Sequence, residues 1–207
     1  MYQDNTSYKY LANIPNTHLL GTSLRQFTEA HLPETKLADI KLRTIRPTDL
    51  TAWCEYLQQE QVKAHISWDV KSPSDLQQFI FAVGQGPNGD QIKWAITHSS
   101  DDQVEGRLIG TIGFHTIAFA HQSCEIAYDL NPAYWNRGIA TQICQQMTSW
   151  AHQQLGFKRI TASVMTENQA SRRVLEKSGY NLEGVMRSYR KVRGVHRDYL
   201  LLSSISS

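Results

Sequence analysis

The chain has 207 residues with 21 basic and 19 acidic side chains, a formal charge of +2 with histidine neutral. That balance excludes a dedicated nucleic-acid binder, which carries a strongly basic domain, but leaves a small anionic ligand open. The length suits one domain with a modest extension, or two very small ones, burying about 70 % of the unfolded surface without staples.

Residues 1–37 are polar and irregular apart from a helix read around Leu20, Leu24 and Phe27. They are expected to form an extension packed on the domain surface rather than a lid or a partner-binding arm. No basic start precedes an apolar core, so no signal peptide is read. No apolar run approaches the length that spans a bilayer. The expected setting is the cytoplasm, with no membrane partner. Asn5-Thr6-Ser7 matches a glycosylation acceptor, which has no meaning without export.

Residues 38–207 carry the regular patterning of one domain. Ile40-Lys41-Leu42-Arg43 alternates as a half-buried strand. Pro47-Thr48-Asp49 opens a helix with Leu50, Trp53, Cys54 and Leu57 at helical spacing. Ser72-Pro73-Ser74-Asp75 opens a second, with Leu76, Phe79, Ile80 and Val83 as its buried stripe and Gly84 as its stop. Trp68, between them, reads as core or cleft wall. A meander follows. Ile92, Trp94 and Ile96 alternate, a turn begins at Ser99-Ser100-Asp101-Asp102, and Leu108 to Ile117 makes the next strand with Gly110 and Gly113 as bulge positions. Cys124 to Leu130 follows that strand. A long helix after Gly138 puts Ile139, Ile143, Met147 and Ala151 on one face and ends at Gly156. Then come a strand (Arg159 to Val164), a helix (Asn168 to Ser178, closed by Gly179), a strand (Tyr180 to Met186) and a hairpin arm from Tyr189 through Gly194 to Leu202. Adjacent strands pair antiparallel, and a strand reached through a helix lies parallel. The expected fold is therefore α/β: a mixed, mostly antiparallel central sheet with helices on both faces and a splayed parallel pair around the Cys124 and Arg159 segments. A cleft at the carboxyl ends of such a pair is a usual ligand site.

The most informative stretch is Cys124–Thr141. At its strand-turn-helix junction the amides of Arg137, Gly138, Ile139, Ala140 and Thr141 precede the helix ladder and lack internal partners. With the positive end of the helix dipole they make a phosphate site, and Gly138 and Ala140 leave the backbone bare. A tight turn that holds nothing is the alternative reading of the same residues. The three cysteines, Cys54, Cys124 and Cys144, show neither disulfide nor zinc spacing and read as small buried apolar residues. The eight histidines include no close ligand pair, so no metal is expected, and His115 and His121 read as structural.

Three stretches together resemble the GNAT superfamily of acetyl-CoA-dependent N-acetyltransferases, and within it the RimJ/RimL-like ribosomal-protein N-terminal acetyltransferases. Trp135-Asn136-Arg137-Gly138-Ile139-Ala140 is similar to the family's acyl-CoA signature. Asn168-Gln169-Ala170-Ser171 followed by Leu175-Glu176-Lys177-Ser178-Gly179-Tyr180 is similar to that branch's helix. Glu183-Gly184, Arg187 and Asp198 fit its C-terminal pattern. The resemblance runs from about Leu37 to Ser203 and implies the acyl-CoA N-acyltransferase fold. It implies that Trp135, Asn136 and the amides of Arg137 to Thr141 hold the coenzyme's pyrophosphate. The edge of Ile126, Ala127 and Tyr128 would pair with the pantetheine arm, and Asn168 would hydrogen-bond it. Glu125 is the implied base and Ser171 the group near the sulfur.

The chemistry asks for little more: a neutral amine on the thioester carbonyl, a proton acceptor and help for the leaving thiolate. Many relatives place a tyrosine acid where this chain has Leu175, so Ser171 is left either to protonate the thiolate or only to hydrogen-bond it. No acyl-enzyme is expected, because no cysteine is spaced for a histidine partner. An α-amine titrates near ~7.7–8.0 and a lysine near ~10.4. A carboxylate base therefore suits a protein N-terminus, such as that of a ribosomal protein. A small amine (polyamine, amino sugar or amino acid) and a non-catalytic acyl-CoA sensor stay open, as do monomer and homodimer. The basic run Arg187, Arg190, Lys191, Arg193 and Arg197 reads as a solvated hairpin, with an acidic partner or the coenzyme's 3′-phosphate as the alternative.

Overall fold

A computed structural model describes residues 31–81, 90–99 and 106–206. The helix read around Leu20, the Val83-Gly84 helix end, most of the turn from Ser99 and the glycosylation triplet lie outside them. Seven strands form one sheet: β1 (Ile40–Thr44), β2 (Asp90–His98), β3 (Arg107–Ala118), β4 (Ser123–Leu130), β5 (Arg159–Met165), β6 (Asn181–Val192) and β7 (Val195–Ile205). Their order across the sheet is β1-β2-β3-β4-β5-β7-β6. Every pairing is antiparallel except β4 with β5. The expected mixed sheet is what the chain forms.

That one parallel pairing is short. It registers Ser123 with Arg159, Cys124 with Ile160 and Glu125 with Thr161, and then stops. β4 continues on β3 as far as Leu130, and β5 continues on β7 as far as Met165. Beyond Glu125 the sheet is thus two half-sheets that part, each strand keeping a single partner.

Helices cover both faces, as the apolar spacing requires. On one face lies α1 (Leu50–Leu57). Its Trp53, Tyr56 and Leu57 join Val62, Leu76 and Ala95 in a core. On the other lie α2 (Ile139–Gln154) and α3 (Gln169–Lys177). The α2 residues Ile139, Ile143, Met147 and Ala151 are all buried there, with Leu175 of α3, against Ile126 and Ile160 of the sheet. Gly156, at φ +70°, follows the last turn of α2, and Gly179, at φ +86°, follows α3. Left-handed glycines end both helices where the spacing places them. All three cysteines are free and buried.

Three local expectations change. The segment after Ser72 is a 3-10 turn (Pro73–Leu76) and a short α-helical piece (Gln78–Phe81) rather than one helix. Its start is held by Asp75 Oδ2, which accepts from the amides of Lys71 at 2.9 Å and Ser72 at 3.0 Å. Gly113 is not at a bulge. A register shift adjoins Gly110 instead, between Ile96 and Thr97 of β2. Gly113 is required by close approach: a Cβ there would lie 2.1 Å from the Ile92 carbonyl oxygen. Finally, Tyr180–Met186 and the arm after Tyr189 are not separate strands. β6 runs unbroken to Val192, absorbing two register shifts, with Ser188 at φ +52°.

Candidate active site

The parting strands carry chemistry on both faces. Residues alternate along β4. Ile126 and Leu130 enter the α2–α3 core, and Tyr128 packs beside it. Glu125 and Asp129 meet partners on the opposite face: Arg190 of β6 for Glu125 and Tyr56 of α1 for Asp129.

Glu125 sits at the last paired position before the strands separate. Only 13 % of its side chain is exposed, and two bases flank it: His115 Nε2 at 3.9 Å and Arg190 Nη2 at 3.8 Å. His115 stands opposite it on β3. Burial pushes the His115 pKa down, Glu125 pulls it back up, and Lys93 and Arg190 add to the lowering. The imidazole is therefore neutral near pH 7 and can exchange a proton with its surroundings. The carboxylate stands between two bases brought by two other strands, His115 of β3 and Arg190 of β6.

On the opposite face the Tyr128 hydroxyl lies 2.8 Å from Ser171 Oγ and donates to the Ser171 carbonyl at 3.1 Å. This contact spans from β4 to the first turn of α3, across the place where β4 has lost its β5 partner. Burial raises the Tyr128 pKa strongly, so the phenol keeps its proton and acts as a hydrogen-bond donor. Asn168 is the N-cap of α3. Its Oδ1 accepts from the Ser171 amide at 3.0 Å, which leaves its side-chain NH2 for other partners. Leu175 is fully buried in the core, so no acid stands at that position.

Past the end of β4 the chain turns through Asn131, whose amide donates to the Ile109 carbonyl at 2.7 Å and whose Oδ1 accepts from Ala133 N at 3.0 Å. Trp135 Nε1 donates to the Leu130 carbonyl at 2.7 Å, pinning the loop back on the strand. The Arg137 guanidinium is occupied by the Ala133 carbonyl at 2.9 Å and by the Tyr134 ring. What this residue brings to the helix start is its amide. Asn136 at φ +60° and Gly138 at φ +75° then swing the backbone into α2. Gly138 is the N-cap, with no side-chain cap, and its carbonyl accepts from Gln142 at 3.1 Å. Among the described residues nothing accepts from the amides of Arg137, Gly138, Ile139, Ala140 or Thr141. A Cβ at Gly138 would meet nothing within 4 Å. The helix start is bare, open and unsatisfied, a fit for a diphosphate.

Sequence reasoning placed Glu125, Ser171, Asn168 and the Trp135–Thr141 loop around one gap. It missed four groups. His115 reads as structural by sequence, yet it faces Glu125. The basic hairpin is solvated at Arg187, Lys191, Arg193 and Arg197, all exposed, but Arg190 is half-buried and reaches Glu125. Tyr128 reads by sequence as a strand edge, and its hydroxyl gives no signal there. Lys93 gives no signal in an alternating strand. Among the described residues no cluster of three His, Cys, Asp or Glu could hold a metal.

The family model described as an acetyltransferase (GNAT) domain matches residues 39–181. The uncharacterized N-acetyltransferase YoaA of Bacillus subtilis (strain 168) is 39 % identical over 107 residues, 52 % of this chain and 58 % of that protein. The chain thus spans about three-fifths of that relative's length. Two solved structures share the fold. The ribosomal-protein-S5-alanine acetyltransferase of Vibrio fischeri has a TM-score of 0.69 at 19 % identity, covering 84 % of this chain and 96 % of that one. The spermidine N-acetyltransferase of Vibrio cholerae, solved with CoA and spermine, has 0.68 at 16 %, covering 82 % and 96 %.

Proposed function

The chain belongs to the GNAT acetyltransferase family, and on that premise we propose that it moves acetyl from acetyl-CoA to a primary amine, the N-terminal α-amine of a protein. The reading places the reaction in the cytoplasm and the chain with the ribosomal-protein branch. One observation carries this reading. The sheet parts just beyond Glu125, with a carboxylate on one face of the gap, a hydroxyl pair on the other and five unsatisfied amides at the end of the same strand.

The amides of Arg137 to Thr141 hold the diphosphate at the start of α2. Trp135 and Asn136 shape the loop that presents them. Ile126, Ala127 and Tyr128 offer the pantetheine arm a strand edge that β5 has left, and the Asn168 NH2 adds a donor from α3. This brings the thioester to the gap from the α2–α3 face, while the amine arrives from the α1 face. There Glu125 takes the amine's proton as nitrogen attacks the carbonyl carbon, directly or through a water. The C–S bond then breaks. The Tyr128–Ser171 hydroxyls donate hydrogen bonds to the departing thiolate rather than ionising, because a buried phenol holds its proton. No acyl-enzyme is formed.

Titration calorimetry with acetyl-CoA, followed by thiol release over a panel of peptides and small amines, tests the reading. Binding is expected, with release on peptides that have a free α-amine and none on the same peptides N-acetylated. Binding without release on any amine would leave a sensor. Release confined to small amines would move the acceptor class.

A further inference from the structure

Lys93 has no part in the scheme above, yet it is placed to meet the acceptor. On β2 it stands in register with Gly113 of β3, which stands in register with Ala127 of β4. Only Gly113, which has no side chain, therefore lies between it and Ala127 of the strand that carries Glu125. Lys93 and Glu125 both bear on His115: Glu125 by contact at 3.9 Å, Lys93 by a charge that lowers the imidazole's pKa. The three groups lie on the α1 face of the sheet.

The ammonium there is under-used. Nζ lies 5.7 Å from the Trp53 ring centroid and 5.4 Å from that of Phe79, with the Trp68 ring behind Phe79. Its polar contact is Thr111 Oγ1 at 3.4 Å, and it forms no ion pair among the described residues. Asp129 is the nearby carboxylate, and each of its oxygens already accepts one hydrogen bond. The Tyr56 hydroxyl donates to Oδ1, and Thr111 Oγ1 donates to Oδ2 at 2.6 Å. Burial pushes the Lys93 pKa down, and the Asp129 charge works against that through space. A cation set against two adjoining aromatic rings, with N–H donors to spare, is a receptor for an anionic oxygen. Arg190 puts a second cation beside Glu125. A polyamine would bring its second ammonium into that field, which like-charge repulsion opposes.

We propose that Lys93 determines acceptor specificity: it receives a carboxylate held next to the reacting amine, so the chain prefers peptides with an acidic residue at the second position and rejects polyamines. The proposal rests on the acetyl-transfer reading, and its test separates the two.

The probes are two peptides differing only as Asp or Asn at the second residue, together with spermidine. Each is titrated into the protein saturated with CoA, and each is assayed for thiol release with acetyl-CoA. The wild type should bind the Asp peptide at least about tenfold more tightly, with a matching gain in kcat/KM. Lys93→Met should erase the difference and improve spermidine relative to the Asn peptide. Lys93→Arg should keep most of it, and a thermal melt checks that each variant is folded. Should Lys93→Met not fold, the wild-type ratio, its fall with added salt and the Arg variant still decide. Equal binding of the two peptides by the wild type, or a preference that survives Lys93→Met, overturns the proposal. Discrimination in binding without turnover on any amine would uphold Lys93 and remove the acetyl-transfer reading instead.

Discussion

A carboxylate ringed by His115 and Arg190 is a base only if removing its charge costs turnover where a proton must be moved. Glu125→Gln keeps the shape and loses the acceptor. An α-amine is mostly protonated below pH ~7.7 and mostly free well above it. The variant should therefore lose about 10²–10⁴ in kcat/KM below that pH and recover part of the loss as pH rises. Rates measured from pH 6 to 9.5 check this, and a loss that is the same at every pH removes Glu125 as the base. Gly138 is the other decisive residue. Its φ of +75° strains any L side chain, by roughly 1–2 kcal/mol, yet a Cβ there meets open space. Gly138→Val should thus fold with a modest drop in Tm while acetyl-CoA affinity falls at least about tenfold, read by calorimetry. Unchanged affinity would mean that the helix start is not the phosphate site. Both residues were legible in the sequence for a physical reason: a charge between apolar neighbours and a glycine before a helical stripe are local signals. His115, Arg190 and Lys93 were not, because what defines them is a neighbour on another strand, which for Arg190 is Glu125, far back along the chain.

Elements with one strong period were readable, and elements whose geometry depends on a neighbour were not. α2 and α3 follow their stripes and stop at left-handed glycines. β6 was divided in the reading because it contains two register shifts, and shifts are properties of a pair of strands rather than of one. One of them has a use. Between Leu182 and Gly184 the extra residue is Glu183. From there it reaches over β7: Arg159 Nη1 of β5 donates to it at 2.7 Å, and Ser203 Oγ of β7 donates at 2.6 Å. The guanidinium first, then the serine, hold its pKa down to about 2 from 4.5. A depressed carboxylate contributes stability that is present above its unfolded pKa and is lost as pH falls through its folded one. This clasp should therefore weaken between pH 4.5 and 2. The pair is part-exposed, so screening limits its worth to about 1 kcal/mol or less. Urea unfolding of wild type and Glu183→Gln should differ at pH 7 and converge near pH 2. A gap that persists at pH 2 would assign the loss to packing rather than charge.

At the scale of the whole molecule, the two half-sheets are joined by three registered residue pairs between β4 and β5 and by the core under α2 and α3, while the α1 core draws only on the β1–β4 half. The junction is also the gap into which the coenzyme is proposed to fit, so the same split that makes the site leaves a strand edge and a helix start without partners. A ligand that bridges β4, the α2 start and α3 should act as the missing piece of the sheet. Binding to the folded state alone adds about 2.7 kcal/mol at a hundredfold excess over Kd. For a chain of this length that corresponds to a rise in Tm of about 5–11 °C. The protection should also be local. Amides 137–141 have no acceptor in the structure, so they should exchange with solvent quickly in the free protein and slow markedly with acetyl-CoA, together with residues 126–128. The buried α2 residues from Ile143 to Ala151 should change little, since their ladder is complete without ligand. Desulfo-CoA, which keeps the diphosphate, should protect the helix start as well as acetyl-CoA does. Adenosine, which lacks it, should not. Protection spread evenly over α2, or equal effects from adenosine and acetyl-CoA, would show that the coenzyme tightens the fold by some route other than those five main-chain hydrogens.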